Sequence, residues 1–178
     1  VEVEDMAETD SGTRAAVRLN NFSRMLYQAG QWARAAEVGA RGVEITRAVA
    51  DAQALSVLIR GNTARALGEI GRHEEARSLV EQAMALATER NDLRAAGFAA
   101  LYGAPSWCAA GDLRRCGALV AQAGANLAKA LPPGHVMHGA VALAEAQWRA
   151  TEGNADLAQA ALVRAEQAAR VNRAAVNL

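Results

Sequence analysis

The chain has 178 residues, of which 52% are apolar and 4% aromatic, and its 19 basic and 19 acidic side chains cancel. That length suits one domain or one run of a repeat array. A balanced charge with no basic block lacks the electrostatic footprint of a nucleic-acid binder, and no apolar run nears the ~18 residues that span a bilayer.

Residues 1–11, with Glu2, Glu4, Asp5, Glu8 and Asp10, read as an acidic linker or frayed end. No signal peptide is visible, and a first residue of Val points to a larger parent protein or a processed end. From residue 12 onward Ala, Leu, Arg and Glu dominate, all strong helix formers. Apolar residues recur at three and four, as in Leu79, Val80, Ala83, Met84 and Ala87. Gly30, Gly71, Gly111 and Gly153 interrupt this pattern at intervals of 41, 40 and 42 residues. Glycine there permits the left-handed turn that ends one helix just before the next begins. Asp51, Asn91-Asp92 and Leu131-Pro132-Pro133-Gly134 separate the resulting pairs, with Asp51 and Asp92 as N-caps. The expected helices are 12–28 with 32–49, 52–69 with 73–89, 92–109 with 113–130, and 137–151 with 155–171. With few aromatics, they must close their core on Ala, Leu and Val at short interhelical distances.

Alignment on the glycines explains the period. Seven residues before each stand Ser23, Ala64, Ala104 and Ala146; five after come Ala35, Ala76, Cys116 and Ala158; twelve after come Gly42, Ala83, Ala123 and Ala165. Small residues at fixed places on both helices let backbones approach to the short end of the ~8–10 Å packing range. One pair cannot bury both faces, so pairs must stack.

The stretch "NNFSRMLYQAGQWARAAEVGARGVEI" (Asn20 to Ile45) resembles the tetratricopeptide repeat: an Asn pair, an apolar then a small residue, Gly at the turn, an aromatic two later, then spaced small residues. "GNTARALGEIGRHEEARSLVEQAMAL" (Gly61 to Leu86) is similar. The resemblance covers about 160 residues in repeats of approximately 12–50, 51–90, 91–131 and 135–172. Its period resembles the longer-helix subtype of kinesin light chains and bacterial signal-transducing ATPase regulators rather than the usual repeat of about 34 residues. The resemblance implies an all-α fold, a right-handed superhelix of about four antiparallel helix pairs, as a single domain over 12–178. Two departures stand out. Pro105 falls inside the first helix of the third pair and should kink it or shift its start. Glu145 and Arg149 occupy places that the family keeps apolar, and a two-residue slide would put Leu143 and Ala144 there instead.

In such arrays the first helix of each pair lines a concave groove. Asn21 and Arg24 repeat as Asn62 and Arg65 one period later, each Asn and Arg three apart and so on one helix face. An amide can donate to and accept from a peptide backbone, and Arg can grip a carboxylate bidentately. What the resemblance implies for these four residues is contact with an extended acidic or C-terminal segment; bonding between helices by the Asn residues and solvation of the Arg residues is the structural alternative. Asn20, Tyr27 and Gln28 join this groove set. In the second half Phe98, Leu101 and Tyr102 either make the expected groove more apolar or seal the core and pack against missing repeats, and Gln147 is the fourth-pair counterpart.

Trp32, Trp107 and Trp148 read as packing residues, and Cys108 and Cys116, too few for a disulfide framework, as reduced thiols among packed helices. His135 and His138 lack a third ligand at useful spacing, Cys108 lacks a His–Asp partner, and there is no glycine-rich phosphate loop. No catalytic residue, metal site or cofactor is expected. The reading is a non-catalytic protein- or peptide-binding scaffold. The alternative is a ligand-sensing or self-association segment of a larger bacterial signalling ATPase or transcriptional regulator, with no direct contact to nucleic acid or membrane. Lys129 as the only lysine, beside many alanines, suggests a GC-rich bacterial source, and the cytoplasm is the default location. Val163, Val171 and Val176 on the last segment point to a truncated array, a homodimer contact, or contact with missing flanking domains.

Overall fold

Gly30, Gly71, Gly111 and Gly153 have φ of 73°, 77°, 80° and 80°, and each ends a helix in the same way. The residue after the glycine donates its N–H to the carbonyl five positions back: Gln31 to Leu26 at 2.9 Å, Arg72 to Leu67 at 2.9 Å, Asp112 to Trp107 at 3.0 Å and Asn154 to Arg149 at 2.9 Å. Only a left-handed residue brings that N–H round, and there a Cβ is strained. The computed structural model describes residues 12–49 and 52–176. Within it the turns join α1 (Gly12–Gln28) to α2 (Trp32–Ala48), α3 (Gln53–Glu69) to α4 (His73–Glu89), α5 (Leu93–Ala109) to α6 (Leu113–Ala130) and α7 (Val136–Thr151) to α8 (Ala155–Val176). The expected helix ends agree to within one residue except that of α8, which runs on to Val176. The acidic segment 1–11 and Asp51 lie outside the described residues.

Side-chain caps fix the starts of the later helices. Asp92 accepts from Ala95 N and Asp112 from Arg115 N, both at 2.9 Å, which satisfies donors that a helix start leaves unpaired. Between the second and third pairs Asn91 takes the left-handed conformation, with φ 52°.

The aligned small residues are where backbones meet. Ser23, Ala64, Ala104 and Ala146 are buried, as are Ala35, Ala76, Cys116 and Ala158. Ser23 makes the contact polar by donating its hydroxyl to Ala35 O at 2.8 Å across the first hairpin. Glycines allow further close approach: Val80 sits over Gly103, Leu127 over Gly97 and the Trp148 ring over Gly117. Around these contacts Leu19, Ile59, Leu119 and Leu127 are fully buried, each contributing ~1.5–3 kcal/mol through apolar transfer. First helices of successive pairs touch one another, α1 with α3, α3 with α5 and α5 with α7, as well as their own partners. They therefore form one wall, and the second helices form the opposite one.

The two departures resolve simply. α5 runs unbroken through Pro105; the missing N–H would have bonded Leu101 O, and the ring is exposed. The fourth pair keeps the glycine alignment without sliding: Ala146 is buried, whereas Leu143 is 46% exposed. Glu145 and Arg149 lie half-buried and pair with Arg164 and Glu152 at 2.7 and 2.9 Å. Trp107 is buried and Trp148 half-buried, as packing requires, but Trp32, at the first position of α2, is 40% exposed. On α8 Leu157, Leu162, Val163 and Val171 are exposed; the Val176 side chain lies outside the described residues. No helix among the described residues is long and apolar enough to cross a membrane.

The expectation for the cysteines fails as well. Cys108 and Cys116 are not reduced thiols but a disulfide linking α5 to α6. The Gly111 turn sets the place three residues before it against the place five after it, and the two Cα atoms stand 5.3 Å apart, inside the bridgeable range. In unfolding by urea, reductant should lower stability by about 2 kcal/mol, the scale for a cross-link closing so short a loop. A Cys108→Ser/Cys116→Ala variant should be indifferent to reductant. Wild-type stability that ignores reductant would contradict the bridge.

Candidate functional site

The wall of first helices carries two clefts that meet. α1, α3 and α5 line the smaller, about 150 Å³, with Arg24, Tyr27, Gln28, Asn62, Arg65 and Tyr102. The larger, about 470 Å³, continues from Tyr27, Arg65 and Tyr102 to α7. Its polar part holds Glu69, His73 and Gln147; its apolar part holds Leu101, Pro105, Ala140, Leu143 and Ala144.

Arg65 marks the junction. Its guanidinium carbon stands 4.2 Å from the centre of the Tyr27 ring and 5.1 Å from that of Tyr102, so two aromatic faces from neighbouring pairs hold one cation. This leaves the N–H edge of the guanidinium as its bonding surface. The Tyr27 hydroxyl donates to Glu69 Oε1 at 2.5 Å, joining α1 to α3. Asn62 Nδ2 donates to Asn20 Oδ1 at 2.8 Å and joins the same two helices. Asn62 therefore bonds a neighbouring helix, the structural alternative in the sequence, while it still lines the smaller cleft. Among the described residues no carboxylate lies within ion-pair distance of Arg24 or Arg65.

The remaining groove residues fall into place unevenly. Asn21 is exposed and lies off both clefts, so the repeated Asn–Arg unit is not two equal rungs. Phe98 stacks on Tyr102 with ring centres 6.0 Å apart and supports it from outside the clefts. Leu101 is mostly core, with one edge on the larger cleft. Sequence reasoning missed Glu69 and His73. Glu69 follows Asn62 and Arg65 by seven and four positions, one helix face, which was a usable signal. His73 sits at the turn place where the first pair has Trp32, and its Nδ1 is buried without a hydrogen-bond partner. Among the described residues no group of three His, Cys, Asp or Glu could hold a metal ion.

Burial first, and then the bond to Glu69, push the Tyr27 pKa up from 10.0 to about 12, against the opposing charge of Arg65. The folded state thus holds this proton more tightly than the unfolded chain does. Its contribution to stability is complete below about pH 10 and is lost as pH rises toward 12. In a Tyr102→Phe variant Tyr27 is the sole tyrosine, and its phenolate absorbance should rise with a midpoint near pH 12. A midpoint near 10 would contradict the bonded, half-buried phenol.

No protein-family model and no curated protein matches this sequence. Solved structures do match its fold. BtubC (BKLC) from P. vanneervenii superposes with a TM-score of 0.70 at 15% identity, over 96% of this chain and 67% of that one. A kinesin light chain from Podosopora anserina with nearly identical TPR-like repeats gives 0.64 at 21% identity, over 93% and 81%. The apo form of RapI gives 0.71 at 13% identity over 94% of this chain, which spans 46% of RapI's length. Hairpins closed at positive-φ glycines, stacked with their first helices along one wall, together with these superpositions, identify the fold as a tetratricopeptide-type helical repeat.

Proposed function

We propose that the chain is a non-catalytic scaffold that binds an extended peptide segment of a partner protein along the wall of first helices. The observation that carries this reading is the junction at Tyr27, Arg65 and Tyr102, which joins a cationic cleft to a largely apolar one. An acidic side chain or a terminal carboxylate fits between Arg24 and Arg65, where the Gln28 amide adds a donor, and an adjacent apolar side chain fits against Leu101, Pro105 and Leu143. Among the described residues neither guanidinium group has a carboxylate partner, so both are open to a ligand carboxylate. The Cys108–Cys116 bridge fits an oxidising compartment better than the cytoplasm expected by default. A second reading, self-association within a larger signalling ATPase or transcriptional regulator, draws on α8. Leu162 holds the place of Val80 and Val120, both buried, yet it is 39% exposed.

Selection from a random peptide library with free C-termini tests the first reading. Wild type should enrich peptides with a carboxylate next to apolar residues. Arg24→Ala/Arg65→Ala should bind them at least about ten-fold more weakly, the scale of one lost charge-assisted bond. Equal helicity by circular dichroism comes first, and Arg24→Ala alone leaves the tyrosine-held cation in place. Enrichment of the same peptides by the double variant at equal strength would contradict the groove.

A further inference from the structure

Arg60 stands on the side of α3 away from the peptide groove. At 100° per residue Asn62, Arg65 and Glu69 lie roughly 140–200° round the helix from it. It is 5% exposed. Counted back eleven residues from the turn glycine, the other three pairs have Leu19, Ala100 and Ala142 there, all buried and apolar. The second pair alone puts a cation in this core position.

Among the described residues no carboxylate pairs with Arg60. Arg60 Nη1 donates to the Ser56 hydroxyl and to Ser56 O, and that hydroxyl stands 3.1 Å from Thr46 Oγ1. Arg60 Nε reaches Gln82 Oε1 at 3.4 Å, and Arg47 Nη2 reaches the same oxygen at 3.4 Å. One neutral amide oxygen thus serves two guanidinium groups, beyond the usual 2.7–3.2 Å for N–H···O. A buried cation is costly unless it is paired, and here a second cation, Arg47, shares its amide acceptor. Burial and then the Arg47 charge lower the Arg60 pKa, although a guanidinium keeps its proton in proteins. Arg47, Ser78 and Gln82 also line a groove of about 780 Å³ between α2 and α4. The carboxylates of that groove leave the corner alone: Glu75 is held by Arg72 at 2.6 Å, and Glu37 and Glu44 pair with neither Arg47 nor Arg60.

We infer that the corner formed by Arg47, Arg60 and Gln82 binds a small oxyanion, the carboxylate or phosphate group of a ligand entering from the groove between α2 and α4. The anion's oxygen takes the place that Gln82 Oε1 now holds between the two guanidinium groups. Gln82, on a flexible stem, turns toward the groove, and the Ser78 hydroxyl, which now accepts from Gln82 Nε2 at 3.2 Å, is free to donate. Charged oxygen brings N–H···O distances down to ~2.7–2.9 Å and supplies a counter-charge to both guanidinium groups. This site is independent of the peptide groove, on the opposite wall of the array.

The test is nuclear magnetic resonance of arginine Nε–H signals, titrated separately with inorganic phosphate and with acetate, ionic strength held constant with sodium chloride. The Arg47 and Arg60 signals should move and saturate with at least one anion; saturation by phosphate alone assigns a phosphoryl ligand, and by acetate alone a carboxylate ligand. Arg47→Ala, an exposed change that the fold tolerates, should raise the Kd about ten-fold or more, and Arg60→Met should abolish saturation. Arg24→Ala, on the opposite wall, should leave the Kd unchanged. Absence of saturable movement with both anions overturns the site, and so does a Kd unchanged in Arg47→Ala. The Arg47→Ala result decides the matter even if Arg60→Met fails to fold.

Discussion

Close approach of helix backbones at small side chains is the constraint from which the rest follows. The array has few aromatics with which to fill wide gaps, so its hairpins must be narrow. Ser23, Ala64, Ala104 and Ala146 face their partner helices across contacts that a larger residue would wedge apart. The positive-φ glycines fix where each second helix begins, and hence which small residues meet. Because the offsets repeat, the first helices of successive pairs come side by side and their outward residues form one surface. The peptide groove is a product of that spacing: Tyr27, Arg65 and Tyr102 come from three different pairs and meet because each is delivered to the same wall.

The second pair bears an unusual share of the polar structure. α3 sends Asn62, Arg65 and Glu69 to one wall and Ser56 and Arg60 toward the other, while Val57, Ile59, Ala64 and Ala66 are buried. Its polar groups tie it to both neighbours, to α1 through Asn20 and Tyr27 and to α4 through Gln82. In the other pairs the buried place of Arg60 holds Leu19, Ala100 or Ala142 and serves packing alone. A repeat fold lets one unit depart in this way because its neighbours already supply the apolar contacts on either side. The departures occur on two opposite walls, which is why they support two separate binding readings.

Much of this was legible in the sequence. The glycine period, the small residues at fixed offsets and the helix ends follow from local rules, and the structure agrees with them to within one residue at all but one end. Arg24, Tyr27, Gln28, Asn62, Arg65 and Tyr102 do gather in one cleft, since helical spacing and the repeat together decide which face they occupy. What was not legible depends on partners chosen across the hairpins. Asn62 had two readings in the sequence, a peptide contact or a bond to a neighbouring helix, and only the approach of α1 to α3 brings it to Asn20. Cys108 and Cys116 were judged by their number rather than by their places relative to Gly111, which are what bring them together. The glycine alignment places Arg60 among Leu19, Ala100 and Ala142, so its buried position is legible in the repeat, whereas its partners Ser56 and Gln82 depend on how α3 and α4 pack.

The measurement that bears most directly on the central constraint compares two alanines on α6. Ala123 is one of the aligned small residues and is fully buried, whereas Ala121, two positions before it, is exposed. If backbone approach at the aligned places holds the array together, Ala123→Leu should lower the unfolding free energy in urea by about 1–3 kcal/mol through overpacking. Ala121→Leu should stay within about 0.5 kcal/mol of wild type. Equal stability of the two variants would contradict the account.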